Sequence, residues 1–145
     1  MSDQMSMGAT MRSTPGGLHL TISDNPDADQ FEAQLDGRVV GWQPYRRYQG
    51  HIVLLATEVA EAWRERGISS ALIDGALELV RAAKATVVPR CKVTADYILR
   101  HPEHQDLVPE KYRSLLQPIS RPDVRMATTN FGSGPRDRQG DPPTP

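Results

Sequence analysis

The stretch "EAWRERGISSALIDGALELV", Glu61–Val80, decides the fold, because its two halves obey different rules. The second half is amphipathic. Ile68, Leu72, Gly75, Leu79 and Ala82 or Ala83 recur at helical spacing, with Ser70, Asp74, Glu78, Arg81 and Lys84 on the expected solvent side. The first half holds a tryptophan, Arg64-Glu65-Arg66, one glycine (Gly67) and the serines Ser69 and Ser70. A helix start carries unpaired N–H groups and partial positive charge, which together bind phosphate oxygens. Gly67 would let the backbone approach such a group, Arg64 and Arg66 would add charge, and the serines would add hydroxyl donors. The same residues also suit an ordinary helix start capped by a polar side chain. The fragment alone leaves both readings open. It is no Walker loop, because G-x-x-x-x-G-K-[ST] is absent, and no dinucleotide fingerprint, because the helix-start segment has only one glycine, Gly67.

Upstream of the helix, "HIVLLATEV" (His51–Val59) is the most strand-like run in the chain. Val53, Leu55, Thr57 and Val59 fall on one face and Ile52, Leu54, Ala56 and Glu58 on the other, which predicts a central strand covered on both sides. Before it, "LHLTI" and "FEAQL" alternate apolar and polar residues as strands do. Asp36-Gly37 predicts a tight hairpin, because both residue types tolerate positive φ. "RVVGWQPY" is the return strand, bent or at an edge where Pro44 removes a ladder donor. "YRRYQG" reads as the next turn. Downstream, "ATVVP" reads as a short buried strand. "CKVTADYILRHPEH" gives a second helix with a Val93, Tyr97 and Ile98 stripe, stopped by Pro102. "DLVPEKYRSLL" reads as a final turn or short helix. The order is an α/β fold in which an antiparallel meander leads into a β-α-β unit, a mixed central sheet with helices on its faces.

The 145 residues suffice for one domain. Residues 1–17 show no strand or helix period and are expected as a disordered tail, as is the Pro/Gly/Arg-rich segment 117–145; residues 18–116 form the domain. A net charge of -1 argues against nucleic acid or an anionic membrane surface as partner, and Arg46 and Arg47 alone make no basic patch. No apolar run is long enough to span a bilayer, and one cysteine, Cys91, excludes an internal disulfide and fits a reducing, cytoplasmic setting. His101, Glu103, His104 and Asp106 lie close in sequence, but their spacing matches no zinc pattern and Pro102 interrupts it, so no metal is expected; His101 and Glu103 are expected to fix the helix end.

"TEVAEAWRERGISSALIDGAL" resembles motif A of the GNAT acetyltransferases, [QR]-x-x-G-x-[GA], with Arg64, Gly67 and Ser69 on its three defining positions. The chain is similar in particular to small stand-alone GNAT-like proteins of the YjdJ type. It carries, in order, Phe31-Glu32-Ala33, Leu35-Asp36-Gly37, Thr57-Glu58-Val59, Val87-Val88-Pro89, Cys91, Tyr97-Ile98, Arg100-His101-Pro102-Glu103 and Asp106-Leu107-Val108. It departs where that group usually has His (here Ala56), a second loop glycine (here Ser69) and Pro-Phe (here Lys92-Val93).

The resemblance implies a GNAT-like acyl-CoA N-acyltransferase fold, truncated relative to larger members, with acetyl-CoA as cofactor. The pantetheine would lie along Thr57, Glu58 and Val59, where the central strand and the next strand splay apart. The diphosphate would sit on the segment Arg64, Glu65, Arg66, Gly67, Ile68, Ser69 and Ser70. Glu58 would be a base for the amine or a strand-end carboxylate in solvent. Tyr97 would protonate the departing thiolate or pack in the core. Cys91, a thiol at a helix start between Arg90 and Lys92, would have a lowered pKa. It would act as a nucleophile, line the acyl pocket, or simply be buried. The acceptor amine is unidentified, and its side would be either open or completed by a second subunit as a homodimer. The departures at Ala56 and Ser69 suit an alternative: a degenerate acyl-CoA-binding or protein-interaction module without turnover.

Overall fold

A computed structural model describes residues 6–118. Seven strands form one mixed sheet: β1 (Ala9–Ser13), β2 (His19–Asn25), β3 (Gln30–Leu35), β4 (Arg38–Tyr48), β5 (His51–Leu54), β6 (Glu58–Val59) and β7 (Thr86–Pro89). The order across the sheet is β1-β2-β3-β4-β5-β7, with β6 also on β4. Pairing is antiparallel except for the parallel β5–β7 pair. Helix α1 (Ile68–Ala82) is the crossover that this parallel pair requires, and α2 (Lys92–Arg100) follows β7. Short 3-10 helices span Glu61–Trp63, Pro102–Leu107 and Glu110–Leu115. The expected meander plus β-α-β unit, a small GNAT-like α/β fold, is what the chain forms.

The Asp36-Gly37 turn has positive φ at both residues, 53° and 79°, as expected for a tight hairpin. Leu20, Ile22, Phe31, Ala33, Tyr45, Ile52 and Leu54 form the sheet side of the core, and Ile68, Leu72, Ile73, Ala76, Leu77 and Val80 the α1 side. The approach is closest at Gly75, where an added Cβ would lie 2.6 Å from Ile22 Cγ1. Real carbon pairs do not approach so closely, so this glycine sets the distance between helix and sheet.

Several expectations need correction. The expected N-terminal tail holds a strand: Ala9–Ser13 adds an edge strand, paired from Ala9 with Ser23 to Ser13 with His19, while residues 1–5 lie outside the described residues. No residue of this strand is fully buried, so hydrophobic periodicity had nothing to register. The segment 119–145, most of the expected C-terminal tail, lies outside the described residues. "HIVLLATEV" is two strands, not one: β5 ends at Leu54 and β6 begins at Glu58. Its two faces are also unequal, since Ile52 and Leu54 are buried while Leu55 is exposed. Pro44 sits in an interior strand, where it causes little loss because β4 passes there from its Gln30 pairing to its Leu54 pairing. Finally, Asp74 is not on a solvent face but at the centre of a side-chain network, and α2 buries Thr94, Ala95, Asp96 and Ile98 while Val93 is exposed.

Candidate functional site

The site arises where β5 and β7 part. Their pairing runs from His51 with Thr86 to Leu54 with Pro89, and one further bond joins Cys91 N–H to the Leu54 carbonyl at 3.0 Å. Pro89 has no N–H to extend the ladder. Beyond Leu54 the chain turns from β7 and returns to β4, with its register shifted by one residue between the Tyr45–Leu54 and Gly41–Val59 pairs. That shift is a bulge over Leu55, Ala56 and Thr57. Bulges bend a strand and re-aim its side chains.

The bulge determines which main-chain groups face the gap. Ala60 N–H bonds the Val40 carbonyl at 2.9 Å, flanking the Gly41–Val59 pair. In an antiparallel ladder this makes Gly41–Val59 a pair that shares no bonds of its own, so the Val59 N–H and C=O point away from β4 into the gap. The Glu58 main chain, one residue back, points to β4. Of the three expected cofactor rungs, Val59 therefore presents both polar groups. Its carbonyl already accepts a hydrogen bond from Arg64 Nε at 3.2 Å.

The loop after β6 then positions α1. Glu65 and Gly67 both have positive φ, 64° and 82°, and Gly67 occupies the position before the helix with no side-chain cap bond. The capped-start reading of the sequence is thereby set aside, and the first-turn amides carry the helix's partial positive charge without a side chain across them. Gly67 has a second reason to be glycine. An added Cβ would lie 3.3 Å from Pro15 Cδ and 3.5 Å from Thr14 Cβ, in the turn between β1 and β2.

A cleft of about 320 Å³ results, lined by Thr57, Glu58, Val59, Trp63, Arg64, Glu65, Gly67, Ile68, Ser69 and Val93. It gathers eight of the ten expected cofactor residues. The other two point elsewhere: Arg66 lies over the Trp63 ring, 5.2 Å from its centroid, and borders a neighbouring pocket with Thr14 and Pro15, while Ser70 is exposed outside the cleft. The cleft's charged side chains are two carboxylates, Glu58 and Glu65, against one guanidinium, Arg64. Attraction of an anion therefore falls on the helix end and the backbone N–H groups rather than on net side-chain charge.

Behind Thr57 lies a buried polar set that the sequence reading missed. Gln43 Nε2 donates to Thr57 Oγ1 at 3.1 Å and to Thr94 Oγ1 at 2.8 Å, and Thr57 Oγ1 is 3.3 Å from both Thr94 Oγ1 and Cys91 Sγ. Gln43 and Thr94 are fully buried and Cys91 is nearly so. The available signal was Gln43 itself, a polar residue on the inward face of a strand between Gly41 and Tyr45. Cys91 precedes α2 as expected, but it does not line the cleft; Thr57 stands between.

Tyr97 is elsewhere. Its hydroxyl donates to Asp74 at 3.1 Å, and burial together with that carboxylate raises its pKa well above the usual phenol value. Asp74 also pairs with Arg12 Nε at 2.6 Å and His104 Nε2 at 3.0 Å. The role of acid to a departing thiolate is thus not supported for Tyr97. Nor do His101, Glu103, His104 and Asp106 converge: His101 Nδ1 is 2.8 Å from the Tyr97 carbonyl, Arg81 Nη2 donates to the Glu103 carbonyl, and Asp106 pairs with Arg81. Among the described residues no group of three or more His, Cys, Asp or Glu is placed to hold a metal, and no helix is long and apolar enough to cross a membrane.

The family model of the GCN5-related N-acetyl-transferases matches residues 30–107, which include every residue lining the cleft and all four of the buried set behind it. No curated protein matches the chain. Strands β1 and β2 lie before the matched segment, so the turn that packs on Gly67 falls outside it. With more than half of the 145 residues matched, and with the splayed strands and uncapped helix start in place, the chain belongs to the GCN5-related N-acetyl-transferase family.

Proposed function

We infer that the protein binds acetyl-CoA and transfers its acetyl group to an amine, as a small acetyltransferase domain of the YjdJ type. The observation that carries this reading is the Val59 main chain, which faces the gap immediately before an uncapped helix start. The Val59 C=O suits an N–H of the amide-bearing pantetheine arm, which leaves the Val59 N–H for the acyl group. The amides of Gly67, Ile68, Ser69 and Ser70 suit a diphosphate. When bound, acetyl-CoA supplies a thioester carbonyl open to attack. The Val59 N–H is a donor for negative charge that develops on that carbonyl oxygen. The exposed Glu58 side chain, on the cleft rim, accepts the amine's proton directly or through a water. The acceptor is a small molecule or a protein amine, and the site is cytoplasmic, where a lone thiol stays reduced.

A second reading, an acyl-CoA-binding module without turnover, draws on a different observation. Tyr97 and Cys91, two of the three groups expected to serve the chemistry, do not line the cleft. Calorimetric titration with acetyl-CoA, followed by an assay of thiol release with a panel of amines, separates the readings. Binding with amine-dependent thiol release supports the transferase. Binding without release supports the module. No binding at millimolar concentration removes both.

A further inference from the structure

We propose that the Thr57 hydroxyl is the hydrogen-bond donor that meets a ligand sulfur in the cleft, and that Gln43 is the positioning residue that aims it. The proposal rests on the acyl-CoA reading above and assigns residues that the family match leaves without a role.

A side-chain amide nitrogen has two hydrogens. Gln43 Nε2 gives one to Thr57 Oγ1 and one to Thr94 Oγ1, at 3.1 and 2.8 Å. Both hydroxyl oxygens are therefore acceptors, and each keeps its own hydrogen to donate elsewhere. For Thr57 the neighbouring acceptors are Thr94 Oγ1 and Cys91 Sγ, each at 3.3 Å. Thr94 needs an acceptor too, and Thr57 Oγ1 is within its reach. The arrangement in which both amide hydrogens and both hydroxyl hydrogens are used runs from Gln43 through Thr94 and Thr57 to the Cys91 sulfur. In the free protein the Thr57 hydroxyl thus already stands within hydrogen-bond reach of a sulfur atom.

Of the four residues, Thr57 alone lines the cleft. A second sulfur arriving there meets the same hydroxyl, turned from Cys91 by a rotation about one side-chain bond. Thr57 shares its proton with that sulfur and keeps it, so the interaction itself makes and breaks no covalent bond. Such a donor favours the departing thiolate over the bound thioester, because hydrogen bonds to charged acceptors are the stronger ones. Tyr97 is not free for this task, since its hydroxyl is committed to Asp74.

The second observation is the state of Gln43. It is fully buried, and its Oε1 has no hydrogen-bond partner among the described residues. An unsatisfied buried acceptor is destabilising, and an apolar residue of similar shape avoids that cost. An amide held at this cost, with both hydrogens directed at the two threonines, is explained by what those hydrogens do. Were the amide turned the other way, Oε1 would accept both hydroxyl hydrogens and Thr57 would have none to give. The two orientations make opposite predictions.

The test compares CoA with desulfo-CoA, in which hydrogen replaces the thiol, by calorimetry on the full chain and on folded Thr57→Val, Thr57→Ser and Gln43→Met variants. The expected result is that the parent holds CoA roughly three- to ten-fold tighter than desulfo-CoA, the scale of one hydrogen bond. Thr57→Val and Gln43→Met should erase the difference, and Thr57→Ser should keep it. Equal affinities in the parent, or a preference that survives in Thr57→Val, would overturn the Thr57 assignment while leaving acyl-CoA binding intact. A preference that survives in Gln43→Met would overturn the role of Gln43. If that variant does not fold, the Thr57 pair decides the question of the donor, and Gln43→Glu, which keeps the shape but presents no N–H, replaces it: retention of the preference there counts against Gln43. Failure of the parent to bind either ligand removes the acyl-CoA reading and this proposal with it.

Discussion

Arg12 Nε lies 2.6 Å from Asp74 Oδ2 and so ties the edge strand β1 to the middle of α1. The same carboxylate accepts from the Tyr97 hydroxyl and from His104 Nε2, so β1, α1, α2 and the 3-10 turn after α2 meet at one side chain. Met7 N–H also bonds Asp24 Oδ2 at 2.8 Å, and the Thr14–Leu18 turn packs on Gly67. Deletion of residues 1–17 should therefore lower the thermal midpoint clearly, by 5 °C or more on the usual relation of about 4–8 °C per kcal/mol for small domains. Differential scanning calorimetry on the truncated chain measures this, and an unchanged midpoint would mean that β1 contributes nothing.

Asp74→Ala should destabilise by about 1–3 kcal/mol, because it leaves a phenol, an imidazole and a guanidinium without their shared acceptor. The network also sets a response to acid. Burial by itself raises the Asp74 pKa, but the hydrogen bonds from Arg12, His104 and Tyr97 outweigh it and hold the group below its ordinary value. A depressed carboxylate contributes stability above its unfolded pKa, near 3.9, and loses it as pH falls through the lower folded value. Urea titrations from pH 6 to pH 2 should show a decline below about pH 4 that is shallower in Asp74→Asn. Equal slopes would count against the network.

Tyr45 and Tyr97 should resist ionisation in alkali. Burial is the first cause for both, followed at Tyr45 by its hydrogen bond to Asp24 and at Tyr97 by the charge of Asp74. Both pKa values are raised, so the stability these phenols confer is complete below the unfolded value near 10 and is lost as pH rises towards the folded value. The part of the phenolate absorbance that Tyr45→Phe and Tyr97→Phe remove should emerge only together with loss of the far-ultraviolet circular dichroism. Its appearance by pH 10.5 with the fold intact would contradict the burial.

Gly75→Ala opposes two effects. Alanine is favoured over glycine in a helix by about 1 kcal/mol. The added Cβ would lie 2.6–2.9 Å from three atoms of Ile22, a fully buried β-branched residue of β2. Overpacking of that kind costs about 1–3 kcal/mol, and the clash should win. Chemical denaturation should show a net loss of stability, and a gain would mean that α1 can move off the sheet without penalty.

Cys91 should alkylate slowly in the native protein, because its sulfur is nearly buried and held beside Thr57. Iodoacetamide labelling followed by mass spectrometry should rise by an order of magnitude or more in urea. Incubation with acetyl-CoA and no acceptor tests the nucleophile reading directly: one added acetyl mass, absent in Cys91→Ala, would restore it, and none is expected from a thiol behind the cleft wall.

The amino-acid sequence by itself determined the parts of this protein that rest on periodicity and turn chemistry. The Asp36-Gly37 hairpin, the strand–helix–strand order around α1 and the helix-start motif from Arg64 to Ser69 are local patterns, and eight of the ten residues assigned to a cofactor meet in one cleft. The tertiary structure decided what depends on distant partners. Strand β1 exists because Ser23 and Asp74 receive it, not because its own residues are apolar. Tyr97 turns to Asp74, 23 residues back, rather than to the cleft. The break in "HIVLLATEV" comes from a one-residue change of register against β4, and no alternation in the strand's own sequence encodes which residue of its partner it will face. Gln43 is a further case. It joins Thr57, Thr94 and, through Thr57, Cys91 from positions up to 51 residues apart, because hydrogen bonds form wherever the folded backbone brings donor and acceptor together.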